Sequence, residues 1–134
     1  MEKEFVPYEL AVKLKELGFD EPCFGDYFKF GIQYEPFLVT SEDRYRIEED
    51  NKGEDIYRVS APTFSQAFRW FREKYFIHHK IGRDFDIWEY ELYDFKSGNK
   101  HILTGFKTFK TYEEAELACL DKLIEIVEGI TEPN

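Results

Sequence analysis

Cysteine is scarce in this chain. Cys23 and Cys119 are the only two in 134 residues. A pair so far apart supplies neither a disulfide framework nor the ligand spacing of a zinc site. Long apolar runs are missing as well. The longest covers four residues, 117–120, far short of what a bilayer-spanning helix needs, so no membrane segment is expected. The opening Met1-Glu2-Lys3-Glu4 lacks the basic start and apolar stretch of a signal peptide, which makes the cytoplasm the expected location. Positive charge is in the minority: 18 basic residues stand against 28 acidic ones, a formal net charge of −10. Bulk attraction to nucleic acid or to an anionic membrane is therefore not expected. The phosphate loop, the dinucleotide fingerprint, the G-x-S-x-G elbow and zinc-finger spacing are all absent from the sequence, and neither cofactor nor metal is expected.

What is abundant is aromatic. The chain has 14 Phe, 9 Tyr and 2 Trp, and aromatics make up 19% of it. That load separates it from disordered chains of similar charge. Its length suits one domain, 1–134, with a real core.

Periodicity places the elements. Pro7 fits a first helical position, Leu10, Ala11, Leu14 and Leu17 make one apolar face, and Gly18 suits a left-handed stop, which predicts a helix over 7–17. Phe28, Phe30, Ile32 and Tyr34 alternate with polar or small residues. Tyr45 and Ile47, then Tyr57 and Val59, alternate too. Strands within 27–59 are expected, the last two forming a hairpin around a polar loop at 48–55. Thr63 and Gln66 fit a capping box, and Phe64, Ala67, Phe68, Phe71 and Tyr75 fall on one face, with Trp70 and Ile77 at its edge, which predicts a helix over 63–77. A hairpin is expected over 84–109, with a change of phase near Trp88 that calls for a bulge or for burial of both faces. Thr111 and Glu114 form a second capping box opening a helix over 111–128. The order implies an α+β class: three helices packed on an antiparallel sheet of about four to five strands.

Candidate chemistry is sparse. Cys23 with His78, His79 or His101 is the candidate nucleophile and base, but a thiolate needs an oriented imidazole beside it, and sequence shows no such neighbour. His78 and His79 are adjacent, so they point apart in a strand or helix and do not share an ion easily. Asp84/Asp86 and Glu89/Glu91 read as solvated edges rather than an acid–base pair. The order of elements over 63–128 resembles that of a double-stranded RNA-binding domain, yet Glu113, Glu114 and Glu116 stand where such a domain places phosphate-contacting lysines. The uneven feature is a basic island at 69–83. Arg69, Arg72, Lys80 and Arg83, with Trp70, have the composition of a partner-binding hot spot. The competing account pairs these cations with acidic residues of 41–55.

Three stretches, 6–23 (Val-Pro-Tyr-Glu through Gly-Phe-Asp-Glu-Pro-Cys), 61–75 (Ala-Pro-Thr through Phe-Arg-Trp-Phe-Arg-Glu-Lys-Tyr) and Thr111-Tyr112-Glu113-Glu114-Ala115-Glu116-Leu117-Ala118 onward, resemble a set of small uncharacterised proteins of Bacteroidetes phages, prophages and mobile elements. Residues 26–60 and 81–110 are particular to this sequence. The resemblance implies an accessory gene product, and with the features above it favours a non-enzymatic protein acting through protein–protein contact. A small cysteine-dependent enzyme built on Cys23 and a histidine is the first alternative. An acidic decoy imitating nucleic acid is the second.

Overall fold

The computed structural model describes residues 2–41, 43–50, 55–104 and 107–131. It is an α+β structure with four α-helices and two antiparallel sheets. The chain divides into two compact units, 1–63 and 64–134. No helix among the described residues is long and apolar enough to cross a membrane.

The first unit opens with a short 3-10 turn and then α1 (Tyr8–Glu16), which buries Leu10, Ala11 and Leu14. Pro7 is its N-cap. The helix stops as its sequence predicts. Gly18 adopts φ 101°, which carries no Cβ penalty there. The Gly18 and Phe19 N–H groups donate to the carbonyls of Lys15 and Leu14, both at 3.0 Å. Phe19 packs back into the core at 6% exposure, completing a Schellman stop.

β1 (Gly25–Phe30) is the central strand of a sheet ordered β2-β1-β3, with β2 at Phe37–Val39 and β3 at Ile56–Ala61. The strand expected to run through Tyr34 ends at Phe30. Gly31 turns the chain with φ 77°, leaving Ile32 and Tyr34 exposed in the connection. The expected strand at Tyr45–Ile47 is instead α2 (Asp43–Asp50). Ser41 starts it: its Oγ accepts from the Asp43 N–H at 3.3 Å and its carbonyl from the Arg44 N–H at 3.2 Å. Asp43 in the first turn suits the positive end of the helix dipole. Tyr45 and Ile47, two apart, imitate strand alternation inside a helix too polar to show an apolar stripe. Much of the expected 48–55 loop, residues 51–54, lies outside the described residues.

In the second unit α3 (Phe64–Tyr75) buries Phe64, Ala67, Phe68, Trp70 and Phe71. It ends two residues earlier than expected, because Phe76 turns the chain with φ 60° and β4 (Ile77–Asp84) begins. β4 pairs along its whole length with β5 (Ile87–Asp94) across the two-residue turn Phe85-Asp86. A tight hairpin at 77–94 thus precedes the expected pairing over 84–109, which is present as well: Tyr93 pairs with Ile102 and Trp88 with Phe109, both antiparallel. Phe85 is a turn residue, 91% exposed with φ 58°. The apparent change of phase is thus the turn itself, and β4 and β5 pair in continuous register with no bulge. The returning segment contributes two short strands, β6 (His101–Ile102) and β7 (Thr108–Phe109), both paired with β5.

α4 (Tyr112–Thr131) closes the unit and buries Ala115, Cys119, Leu120, Leu123, Ile124 and Val127. The Thr111 Oγ1 accepts from the Glu114 N–H at 3.1 Å, and the Glu114 carboxylate reaches back to the Lys110 N–H at 3.4 Å. Thr111→Ala should lower stability by about 1 kcal/mol, measured as a shift in the urea midpoint at constant slope.

Both helices of the second unit lie on one face of its sheet, α3 on β4 and α4 on β5. His79 of β4 stacks on Phe68 of α3 at 3.7 Å between ring centroids, and Trp88 of β5 meets Tyr112 of α4 edge-on at 5.4 Å. The opposite sheet face carries His78, Lys80, Gly82, Glu89, Glu91 and Tyr93, as strand alternation requires.

Candidate functional site

The basic island is distributed over three surfaces of the second unit. Arg69 is exposed on α3, and Arg72 is half-buried one turn along. Trp70 is 7% exposed, so it belongs to the core rather than to the rim expected of it. It meets Phe71 and Tyr75 edge-on, and the Lys74 Nζ lies 4.9 Å from its ring. Lys80 points from β4 onto the open sheet face. Arg83, three residues on and therefore on the other face, donates through Nε to the Phe85 carbonyl at 2.7 Å and covers the Trp88 ring at 5.8 Å. The structure brings Arg72 near β4, where its charge acts on His79.

The competing account of these cations required ion pairs. Among the described residues, Arg69, Arg72 and Lys80 make none within 4 Å. Glu91, opposite Lys80 across the β4–β5 pair, is held by Lys100 at 3.1 Å. Three cations of the island are thus without an ion pair among the described residues.

The two adjacent histidines occupy different environments. His78 stacks with Tyr93 at 6.0 Å and meets Phe95 edge-on at 5.0 Å on the open sheet face. His79 is on the helix side, where its Nδ1 is buried without a hydrogen-bond partner among the described residues. Burial, reinforced by Arg72 and His78, lowers its pKa to about 4, so the ring is neutral at pH 7. His101 bonds the Ser97 hydroxyl at 3.0 Å on the surface.

Cys23 belongs to the first unit, and all three histidines belong to the second. Within its own unit the thiol has no imidazole to act as its base. Its Sγ donates to the Glu21 carbonyl at 3.3 Å. Cys119 is fully buried on α4, where burial, with Glu116 nearby, pushes the thiol up to about 12. In the native protein at neutral pH, a chromogenic disulfide reagent should therefore label Cys23 slowly and leave Cys119 untouched until denaturant is added. Labelling of Cys23 faster than a free thiol would restore the nucleophile reading.

Of the carboxylate pairs, Asp84 and Asp86 do not share the strand face that the sequence suggests: Asp84 ends β4 and Asp86 lies in the hairpin turn. Glu89 and Glu91 do share one. They border a shallow pocket of about 150 Å³ with Lys80, Gly82, Ile102 and Thr104.

One charged cluster lies outside every motif of the sequence. Asp26 is 4% exposed on β1. Its Oδ2 accepts from the Arg58 Nη2 at 3.1 Å and lies 3.4 Å from the Arg44 Nη1. Arg44 also donates to the Cys23 carbonyl at 2.9 Å, and the Tyr45 ring lies 5.2 Å from the Arg44 guanidinium and 5.6 Å from that of Arg58. The cluster fastens α2 and β3 to β1. A signal for it existed: Asp26 is in phase with the buried Phe28, an acid where the strand points inward.

Fold and surface together define an α+β protein whose second unit sets an open sheet face and unpaired cations outside a dense aromatic core. No protein-family model, curated protein or solved structure matches the chain.

Proposed function

We propose that the chain is a non-enzymatic accessory protein of a phage or mobile element that works in the cytoplasm by binding an acidic surface of another protein. The observation that carries this reading is the absence of ion pairs at Arg69, Arg72 and Lys80 among the described residues. Arginines left without an ion pair at a surface are available to partner carboxylates, which they bind bidentately. The accessory role comes from the resemblance of the three sequence stretches.

The test is affinity capture from host lysate with the native chain and with Arg69→Glu/Arg72→Glu. The double variant should keep its circular dichroism spectrum and its stability within about 1 kcal/mol at pH 7, since neither side chain makes an ion pair among the described residues and His79, which Arg72 faces, is neutral there. It should lose the captured protein. A variant that folds and retains every partner would place the binding surface elsewhere, and one that unfolds would make the island structural.

A further inference from the structure

β4 has one satisfied edge and one open edge. The Phe95 N–H donates to the Phe76 carbonyl at 3.2 Å, and Asp84 pairs with Ile87 across the turn. In this register the even-numbered residues of β4 exchange hydrogen bonds with β5, and His79, Ile81 and Arg83 direct their backbone N–H and C=O groups away from it. Among the described residues no strand pairs with β4 on that side, and no further backbone bond engages His79, Ile81 or Arg83. The strand is eight residues long. It contains neither a proline nor a bulge, two of the usual devices that blunt an edge. The first unit treats its own long edge differently: the Lys15 Nζ of α1 donates to the Arg58 carbonyl of β3 at 3.4 Å.

We infer that the open edge of β4 receives an extended acidic segment of the partner protein as an added strand. This inference rests on the protein-contact reading above and specifies its mode. Main-chain groups on an open edge select an extended backbone and nothing else. The side chains around the edge select charge. Lys80 lies on one face of the strand, Arg83 on the other, and Arg72 stands near His79 on the helix side; Lys80 and Arg72 are unpaired. Gly82 marks where an uncharged side chain of the segment fits: nothing lies within 4 Å of the position its Cβ would occupy, and the pocket of about 150 Å³ beside it is bordered by Glu89 and Glu91 as well as Lys80. Glycine inside a strand commonly marks such a close approach. A second copy of the chain is the alternative occupant that the experiment separates: self-pairing of β4 centred on Lys80 opposes two lysines, whereas centring on Ile81 does not.

The experiment titrates the full chain, labelled with nitrogen-15, with a blocked peptide alternating Glu with Val and Thr, and with a second peptide carrying Lys for each Glu. With saturating acidic peptide, amide exchange at His79, Ile81 and Arg83 should slow by about an order of magnitude. The amides of His78, Lys80 and Gly82, already bonded to β5, should change less. Lys80→Glu/Arg83→Glu should weaken the acidic peptide by about an order of magnitude or more, and added salt should weaken it as well. Ile81→Pro removes one outward donor without touching the β5 ladder and should abolish the protection. The Lys80/Arg83 variant keeps the test valid should the proline variant unfold.

The inference is overturned by unchanged exchange at the three amides. Equal protection by the lysine peptide also overturns it, as does protection without peptide that grows with protein concentration, since the occupant is then a second copy. Capture separates the two levels of the argument. A folded Ile81→Pro chain that retains the native chain's partner, when Arg69→Glu/Arg72→Glu loses it, removes the edge while leaving protein contact standing. A native chain that captures nothing removes both.

Discussion

Replacing Phe68 by alanine should cost the second unit about 3–5 kcal/mol. The ring is 2% exposed. It packs between Phe64, with centroids 6.3 Å apart, and His79, at 3.7 Å. Truncation therefore removes the transfer free energy of a buried aromatic and opens a void bordered on two sides by rings. Domains of this size hold about 5–15 kcal/mol in total, so the loss would be a large fraction of the whole. Both tryptophans, Trp70 and Trp88, lie in the second unit, and their fluorescence in a urea titration reports on that unit. A loss below about 1 kcal/mol would mean that the α3 stripe is not a core.

Acid should destabilise the same region before the carboxylates titrate fully. The His79 pKa falls from 6.5 to about 4, chiefly through burial and then through Arg72 and His78. Because the folded value is depressed, the unfolded chain takes up the proton first. The contribution of neutral His79 is complete above about pH 6.5 and is lost as pH falls toward 4. Taken in full, a displacement of this size corresponds to about 3 kcal/mol, and solvent screening of the part-exposed ring reduces it to about 1–2 kcal/mol. His79→Phe keeps the stack on Phe68 and removes both the titration and the unpartnered buried Nδ1. It should match or exceed the native chain at pH 7 and lose less stability between pH 6.5 and 4.5. Urea midpoints across that range, native minus variant, isolate the histidine from the carboxylates common to both. Parallel slopes would show that His79 stays solvated. In Phe68→Ala the histidine loses its cover, so the acid-dependent difference should shrink there as well.

Local order was legible in the sequence wherever a short stretch holds all the groups involved. Gly18 ends α1 through the carbonyls of Leu14 and Lys15, and Thr111 caps α4 through Glu114; donors and acceptors lie within five residues of each other. The α3 stripe follows from the 3.6-residue period alone, and with it the burial of Phe64, Phe68 and Phe71. Opposite pointing of His78 and His79 follows from the period of two. Net charge and the scarcity of cysteine also needed nothing beyond the composition.

Tertiary structure decided what depends on partners distant in sequence. Tyr45 and Ile47 carry a strand's spacing, yet Ser41 caps them into α2, and Arg44 ties that helix to Asp26 and the Cys23 carbonyl. Strand propensity is a preference for a half-buried pleated surface, and among the described residues no strand pairs with this segment. Trp70 sits at the margin of a helical wheel, which leaves its burial open, and in the folded unit it is core at 7% exposure. Phe85 looked like the start of a strand and became the turn, because pairing of β4 with β5 sets the register. The same pairing makes β4 an edge, and among the described residues Lys80 has no acid within 4 Å. Caps and periods are fixed by neighbours along the chain, whereas burial, strand register and the pairing of charges are fixed by contacts that form only when separate elements pack together.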